Sequence, residues 1–321
     1  MSRPVPPSIT GAVRRAVIDI GTNSVKLLVA DVAGPRVETV LERSEQTRLG
    51  AGFYTDHRLR PENIAATARA VAAFAALAQG QGSGAPRVIA TSAVREAVNR
   101  EELLAAIGAA AGLPVEVISG EQEARWVYQG ATLGLEVGDQ PLLVMDLGGG
   151  STEFILGHDG HKAARCSVKL GTVRWLERMP PGDPPAADEL GRCRESLRAF
   201  LSSEVGPILA PVWSQMGQRP QWLIATGGTS TILVRMEKRL QVHDWRQIEG
   251  ERLTLAQVRA RVQELWTMPL VRRRELPGLP ANRADVILFG SAICETVLEE
   301  FGIAGLQAST RGLRHAAVLA G

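Results

Sequence analysis

A short apolar strand that ends in aspartate, a turn of small residues and a second apolar strand occur together twice in this chain. The first copy is Ala16-Val17-Ile18-Asp19-Ile20-Gly21-Thr22-Asn23-Ser24-Val25-Lys26-Leu27-Leu28-Val29-Ala30-Asp31, and the second runs from Leu142 to Leu156. The copies align without a gap: Asp19 falls on Asp146, Gly21 on Gly148 and Ser24 on Ser151. Short runs rich in Val and Ile around small, αL-tolerant residues read as strand, tight turn, strand. A repeat this long implies duplicated lobes rather than a solenoid, whose periods are far shorter. At 321 residues the chain has room for two α/β lobes with a cleft between them.

Between the copies, Pro61 to Leu77 has an Ala-rich helical pattern, Arg87 to Thr91 reads as a strand and Glu101 to Ala111 as a helix. Val115 to Ile118 adds a short strand, after which Ser119 is an N-cap candidate with Glu121 and Glu123 in the first helical turn. This alternation predicts a mixed sheet covered by helices in each lobe. The second half continues with a strand from Trp222 into Gly227-Gly228-Thr229, a helix over Thr231 to Leu240, and helical patterns at Asp285 to Phe301 and Gly312 to Leu319. Met179 to Ala187 and Leu276 to Pro280 carry the Pro and Gly of surface loops.

Composition removes several function classes. Lys plus Arg number 36 against 34 Asp plus Glu, a formal net charge of +2, so bulk electrostatics does not mark a nucleic-acid or membrane-surface protein. Cys166, Cys193 and Cys294 are widely spaced and read as reduced thiols. Met1 to Thr10 hold three prolines and no apolar core of a signal peptide, so the expected location is cytoplasmic. The five histidines show no metal-site spacing, and neither a G-x-S-x-G elbow nor a P-loop is present. Serine hydrolases and Walker-type ATPases are thereby excluded.

Three glycine-rich turns each follow an apolar strand: Gly21-Thr22-Asn23-Ser24, Gly148-Gly149-Gly150-Ser151-Thr152 and Gly227-Gly228-Thr229. Such turns aim backbone N–H groups outward and admit a phosphate closely, so three of them point to a phosphate-binding cleft. Asp19 and Asp146 end strands just before turns, where a carboxylate either reaches a metal bridging phosphate oxygens or caps its own turn. Glu153 either shares that cleft with Asp146 or is an exposed strand residue. Glu121 and Glu123 stand where a general base would be needed, and equally where acid complements a helix dipole. Arg95 and Lys26 are candidate phosphate cations or ordinary surface charges. The run Arg272-Arg273-Arg274 reads as a solvated helix face.

These segments resemble the exopolyphosphatase and guanosine pentaphosphate phosphohydrolase (Ppx/GppA) phosphatase family, in its short two-domain form. The resemblance rests on AVIDIGTNSVKLLVADV from Ala16, VIATSAVREAVN from Val88, ISGEQEARWVYQGA from Ile118, LLVMDLGGGSTEF from Leu142, SVKLGTVRWLER from Ser167, IATGGTST from Ile224, RADVILFG from Arg283 and STRGLR from Ser309. It implies a duplicated ribonuclease H-like, actin-like α/β fold of two lobes with the active site in the cleft between them. Lobe I would comprise 1–122 plus about 306–321, and lobe II 123–305. It further implies that Glu123 orients or deprotonates the attacking water and that Asp146 and Glu153 lie near Mg²⁺ (or Mn²⁺); Asp19 remains a metal candidate from its place before the first turn. Thr22, Asn23 and Ser24, Gly148 to Thr152, and Arg95 fall where the family holds phosphates; Gly21, Lys26 and Gly227 to Thr229 join them as phosphate-binding candidates from the reading of the turns. The implied activity is hydrolysis of the terminal phosphoanhydride of inorganic polyphosphate, favouring short chains, by a homodimer. Cleavage of guanosine pentaphosphate (pppGpp), and noncatalytic sensing of an alarmone or polyphosphate, are the alternatives. Gln122 and His315-Ala316 depart from the family pattern, and neither occupies a position with a chemical role.

Overall fold

The computed structural model describes residues 11–134, 141–158, 161–216 and 218–320; the Pro-rich start, Met1 to Thr10, lies outside them. The chain divides into two compact units, Met1–Ile118 with Arg314–Gly321, and Ser119–Leu313.

In the first unit, β1 (Val13–Ile20), β2 (Val25–Ala33), β3 (Arg36–Glu45), β4 (Arg87–Ala90) and β5 (Val115–Val117) form a sheet of order β3-β2-β1-β4-β5. The first three strands are an antiparallel meander, while β4 and β5 run parallel to β1. Residues Ala16 to Ile20 of β1 are all buried, as befits a central strand covered on both faces. Parallel joins require crossovers, supplied by α1 (Pro61–Gly80), the short α2 (Ser92–Glu96) and α3 (Arg100–Ala111). Helix α1 has Pro61 at its start, where no N–H is needed, and buries Ile64, Val71, Phe74 and Ala78. The closing helix, Leu313–Leu319, docks through Arg314, whose guanidinium donates to the Leu27 carbonyl at 3.1 Å and to Glu42 at 3.0 Å.

In the second unit, β6 (Leu142–Leu147), β7 (Thr152–His158), β8 (His161–Val168), β9 (Trp222–Gly227), β10 (Arg252–Thr254) and β11 (Gly305–Ala308) form a sheet of order β10-β11-β9-β6-β7-β8. Strand for strand, β6, β7, β8, β9 and β11 repeat β1 to β5 in order and direction. This is the duplicated ribonuclease H-like α/β arrangement expected from the sequence, with β10 added antiparallel at one edge. The sequence reading returns the chain to the first lobe near residue 306, but β11 is hydrogen-bonded between β9 and β10 and belongs to the second sheet.

Helix α4 (Gly120–Ala131) packs on β7 and β8. Beyond β8 come α5 (Thr172–Arg178) and α6 (Glu189–Phe200), and a π-helical turn, Leu201–Val205, leads into α7 (Gly206–Gln215). Helix α8 (Gly228–Glu237) starts three residues ahead of the sequence expectation, because Gly227, at φ 96°, turns β9 straight into it. Each unit has its own apolar core, with Ile18, Phe53, Phe74 and Leu103 in the first and Phe154, Trp175, Leu197 and Phe289 in the second. Among the described residues no helix is long and apolar enough to cross a membrane.

Candidate active site

The two repeated turns close in the same way. Gly21 N–H donates to the Ser24 carbonyl at 3.0 Å, and Gly148 N–H donates to the Ser151 carbonyl at 3.0 Å. Five of their other carbonyls are taken up from within each unit. Thr172 N–H donates to the Gly148 carbonyl at 3.1 Å, Val173 N–H to that of Gly149 at 2.9 Å, and the Arg174 Nε to that of Gly150 at 2.7 Å. Gly171 permits this approach, since a Cβ there would collide with the Gly149 carbonyl. In the first unit, Gly50 N–H donates to the Thr22 carbonyl at 2.7 Å and Arg48 N–H to the Asn23 carbonyl at 3.1 Å. A planar peptide sets each N–H opposite the preceding carbonyl. The N–H groups of Gly149, Gly150 and Ser151, and those of Asn23 and Ser24, are therefore turned away from these braces, as an anion cradle requires.

The third glycine turn touches the second directly. A Cβ on Gly227 would lie 2.8 Å from Asp146 Oδ1, so glycine is what lets the start of α8 come beside that carboxylate. Thr229, in the first turn of α8, is buried against Gly290.

Register then gathers the carboxylates. Asp146 lies opposite Glu153 across β6 and β7, and Glu153 lies opposite Ser167 across β7 and β8. Residues directly opposite share a face of the sheet, so the three form one row. Ser167 Oγ donates to Glu153 Oε1 at 2.7 Å. Helix α4 brings Glu123, 6% exposed, to Glu153, 1% exposed. Burial first, then the charges of Glu123 and Asp146, push the Glu153 carboxyl well above the usual carboxylate range, while hydroxyls of Ser167 and Ser151 oppose the shift.

The first unit repeats the geometry with different charges. Asp19 lies opposite Lys26, the repeat counterpart of Glu153. Burial raises the Asp19 carboxyl and the charges of Lys26 and Arg314 counter it, while Oδ1 has no hydrogen-bond partner. One copy of the hairpin thus sets a carboxylate against an ammonium, and the other sets it against a second carboxylate.

The structure separates the two acids of α4. Glu121 is exposed, pairs with Arg165 and borders a surface groove of about 570 Å³; Glu123 faces the carboxylate row. Ser119 caps the helix as expected, its hydroxyl accepting from Gln122 N–H at 3.1 Å. Thr22, Asn23, Ser24 and Ser151 are all buried in their turns. Thr152 is fully buried and donates to the Leu170 carbonyl at 2.6 Å, which commits its hydroxyl to bracing the chain before α5. Arg95 sits on α2, one arm of its guanidinium on the Ile118 carbonyl at 2.9 Å. The middle of the arginine run departs from the solvated face read in the sequence: Arg273 is only 3% exposed. The cysteines are free, and burial pushes Cys166 up to about 11 and Cys193 and Cys294 to about 12. Among the described residues, no group of three His, Cys, Asp or Glu is placed to hold a metal ion.

Sequence reasoning missed Ser167, Arg174 and the brace Gln46 to Gly50. Ser167 and Arg174 lie in a segment that carried the family resemblance, whereas Gln46 to Gly50 shows no local pattern because its partners are over twenty residues distant.

The Ppx/GppA phosphatase family model matches residues 13–320. Exopolyphosphatase 2 of Mycobacterium tuberculosis is 34% identical over 296 residues, spanning 89% of this chain and 90% of its own. Among solved structures, an exopolyphosphatase-like protein superposes with a TM-score of 0.85 at 30% identity, covering 96% of this chain and 98% of its own. A Ppx/GppA family member from Aquifex aeolicus superposes with a TM-score of 0.77 at 30% identity, covering 96% and 97%.

Proposed function

The chain belongs to the Ppx/GppA phosphatase family, and we propose that it is an exopolyphosphatase, releasing orthophosphate from the end of inorganic polyphosphate. The observation that carries this reading is Glu123 buried against Glu153 and Asp146, beside a glycine turn whose carbonyls are braced inward. Hydrolysis of a phosphoanhydride asks a protein to place water in line and to stabilise charge on the transferring group; no covalent nucleophile is needed. Glu123 orients the water and accepts its proton. The N–H groups of Gly149, Gly150 and Ser151 hold the terminal phosphoryl oxygens, and those of Asn23 and Ser24 offer a second set. Lys26 and Arg95 are the proposed cationic partners of the phosphates.

The donor set also fits a divalent cation, Mg²⁺ or Mn²⁺. Two facing carboxylates, the buried Glu153 and the half-buried Asp146, repel unless a cation or a proton lies between them, and the counterpart hairpin relieves the same arrangement with Lys26. Magnesium is commonly held by one or two carboxylates plus water and substrate phosphates. Asp146 and Glu153 would hold the ion, and Asp19, with its unpartnered Oδ1, would hold water or a cation on its own unit. When bound, the ion supplies neutralising charge at phosphate oxygens.

Phosphate release with Mg²⁺ tests the reading, comparing wild type with Glu123→Gln on short polyphosphate, long polyphosphate and guanosine pentaphosphate. Wild type is expected to release phosphate from polyphosphate, and the variant to keep substrate binding while losing about 10²-fold or more in turnover, the usual weight of a general base. An unchanged kcat in the variant removes Glu123 from the mechanism. Activity on the nucleotide alone replaces the proposal with a pppGpp phosphohydrolase, and binding without turnover replaces it with a sensor. The ratio of short-chain to long-chain kcat/KM measures the short-chain preference expected from the sequence.

A further inference from the structure

Asn23 is 7% exposed and its two polar ends differ in kind. Its Oδ1 accepts from Gln46 Nε2 at 3.0 Å, while Nδ2 is buried with no hydrogen-bond partner. A buried donor left unpaired costs free energy, and the cost is recovered when an acceptor arrives. That donor belongs to the turn whose neighbouring N–H groups are turned away from the segment that braces its carbonyls. Gln46 itself is firmly carried: Thr47, next to it, accepts from Thr67 Oγ1 at 3.0 Å, Leu49 is fully buried, and Gly50 leaves no space for a Cβ beside Thr22. The segment does for the first turn what Gly171 to Arg174 do for the second.

We propose that Gln46 is a positioning residue for phosphate binding: by donating to Asn23 Oδ1, it holds the side-chain amide with Nδ2 presented to an anionic phosphate oxygen. In the reversed amide, Oδ1 would meet the anion and repel it, so the orientation set by Gln46 decides whether Asn23 attracts or opposes the substrate. This inference rests on the polyphosphate reading above and adds a residue that touches no substrate.

The test ranks three variants. Gln46→Glu keeps size and shape but accepts where Gln46 donates, which draws Asn23 Nδ2 inward and turns Oδ1 outward. Gln46→Ala merely frees the amide. KM for polyphosphate is therefore expected to rise about tenfold or more in Gln46→Glu, in keeping with a lost hydrogen bond to a charged group, and less in Gln46→Ala, with kcat little changed. A packing role predicts the opposite order, because glutamate preserves the volume that alanine deletes. In an Asn23→Ala background only the repulsion from the added carboxylate remains, so the gap between the two substitutions should narrow. The alanine variant weaker than the glutamate variant, or a difference undiminished without Asn23, overturns the assignment. Calorimetric titration with inorganic tripolyphosphate reads the same ranking without turnover. A wild type that binds tripolyphosphate in the expected ranking but releases no phosphate therefore overturns the hydrolase reading and leaves Gln46 its role.

Discussion

Glu153 couples the chemistry of the site to the stability of the fold. Its carboxyl is buried, faces Asp146 across the hairpin and feels Glu123, so its folded-state pKa lies well above the ordinary 4.5. An acid whose pKa rises on folding takes up a proton as the protein folds. Its penalty is absent below the unfolded pKa, grows as pH rises toward the raised folded value, and is constant above that. In chelator, the wild type should therefore lose stability relative to Glu153→Gln as pH rises from weakly acidic toward neutral, and added Mg²⁺ should cancel the loss. Urea midpoints of the two proteins across that range decide it; parallel curves would show that Glu153 bears no such charge penalty. Glu123, Asp146 and Glu153 were legible as three separate acids, but whether Glu153 shared a face with Asp146 or pointed to solvent depended on strand register. The pairing of Glu153 with Asp146 and with Ser167, together with its burial, puts it on the face it shares with Asp146 and out of solvent.

At the scale of elements, the glycine turns work only because other segments occupy their carbonyls. Gly171 is the critical contact on the second turn: a Cβ there would strike the Gly149 carbonyl, part of the backbone and unable to swing aside. Gly171→Ala is expected to cost about 1 to 3 kcal/mol, as overpacking does, and to weaken phosphate binding by displacing Gly149 and Gly150. The control is Gly191→Ala on α6, where an added Cβ meets nothing within 4 Å and alanine's higher helix propensity should hold or slightly raise Tm. If the two substitutions have equal effects on Tm and KM, the brace is unimportant. The hairpins were readable because their information is local: Val and Ile runs, an aspartate and small turn residues lie within one stretch. The braces were not, since Gly50 meets Thr22 and Gly171 meets Gly149 only after β2, β3, β7 and β8 have folded back. The early start of α8 has the same origin, because Gly227 takes a positive φ where a Cβ would meet Asp146 and the end of β6.

On the scale of the whole molecule, duplication was the most legible property, because two gapless copies of a hairpin can only come from two copies of its setting. What repetition conceals is divergence between the copies. With Lys26 facing Asp19 the first hairpin sets opposite charges against each other, and with Glu153 facing Asp146 the second sets like charges, which a proton or a cation relieves. All three interacting acids, Glu123, Asp146 and Glu153, belong to Ser119–Leu313, and each unit has a core built from its own residues. A ligand that binds only the folded form of one unit stabilises that unit by mass action, about 2.7 kcal/mol at a hundredfold excess over Kd. Mg²⁺ without substrate should therefore slow amide hydrogen exchange in β6, β7 and α4 and leave β1 and β2 unchanged, and Glu153→Gln should abolish the effect. Equal protection of both sheets would mean that the units open as one cooperative body or that the cation binds elsewhere, and persistence of the equal response in Glu153→Gln would identify the second case. Protection confined to β1 and β2 would move the cation to Asp19 and reverse the division of labour drawn from the Lys26 and Glu153 difference.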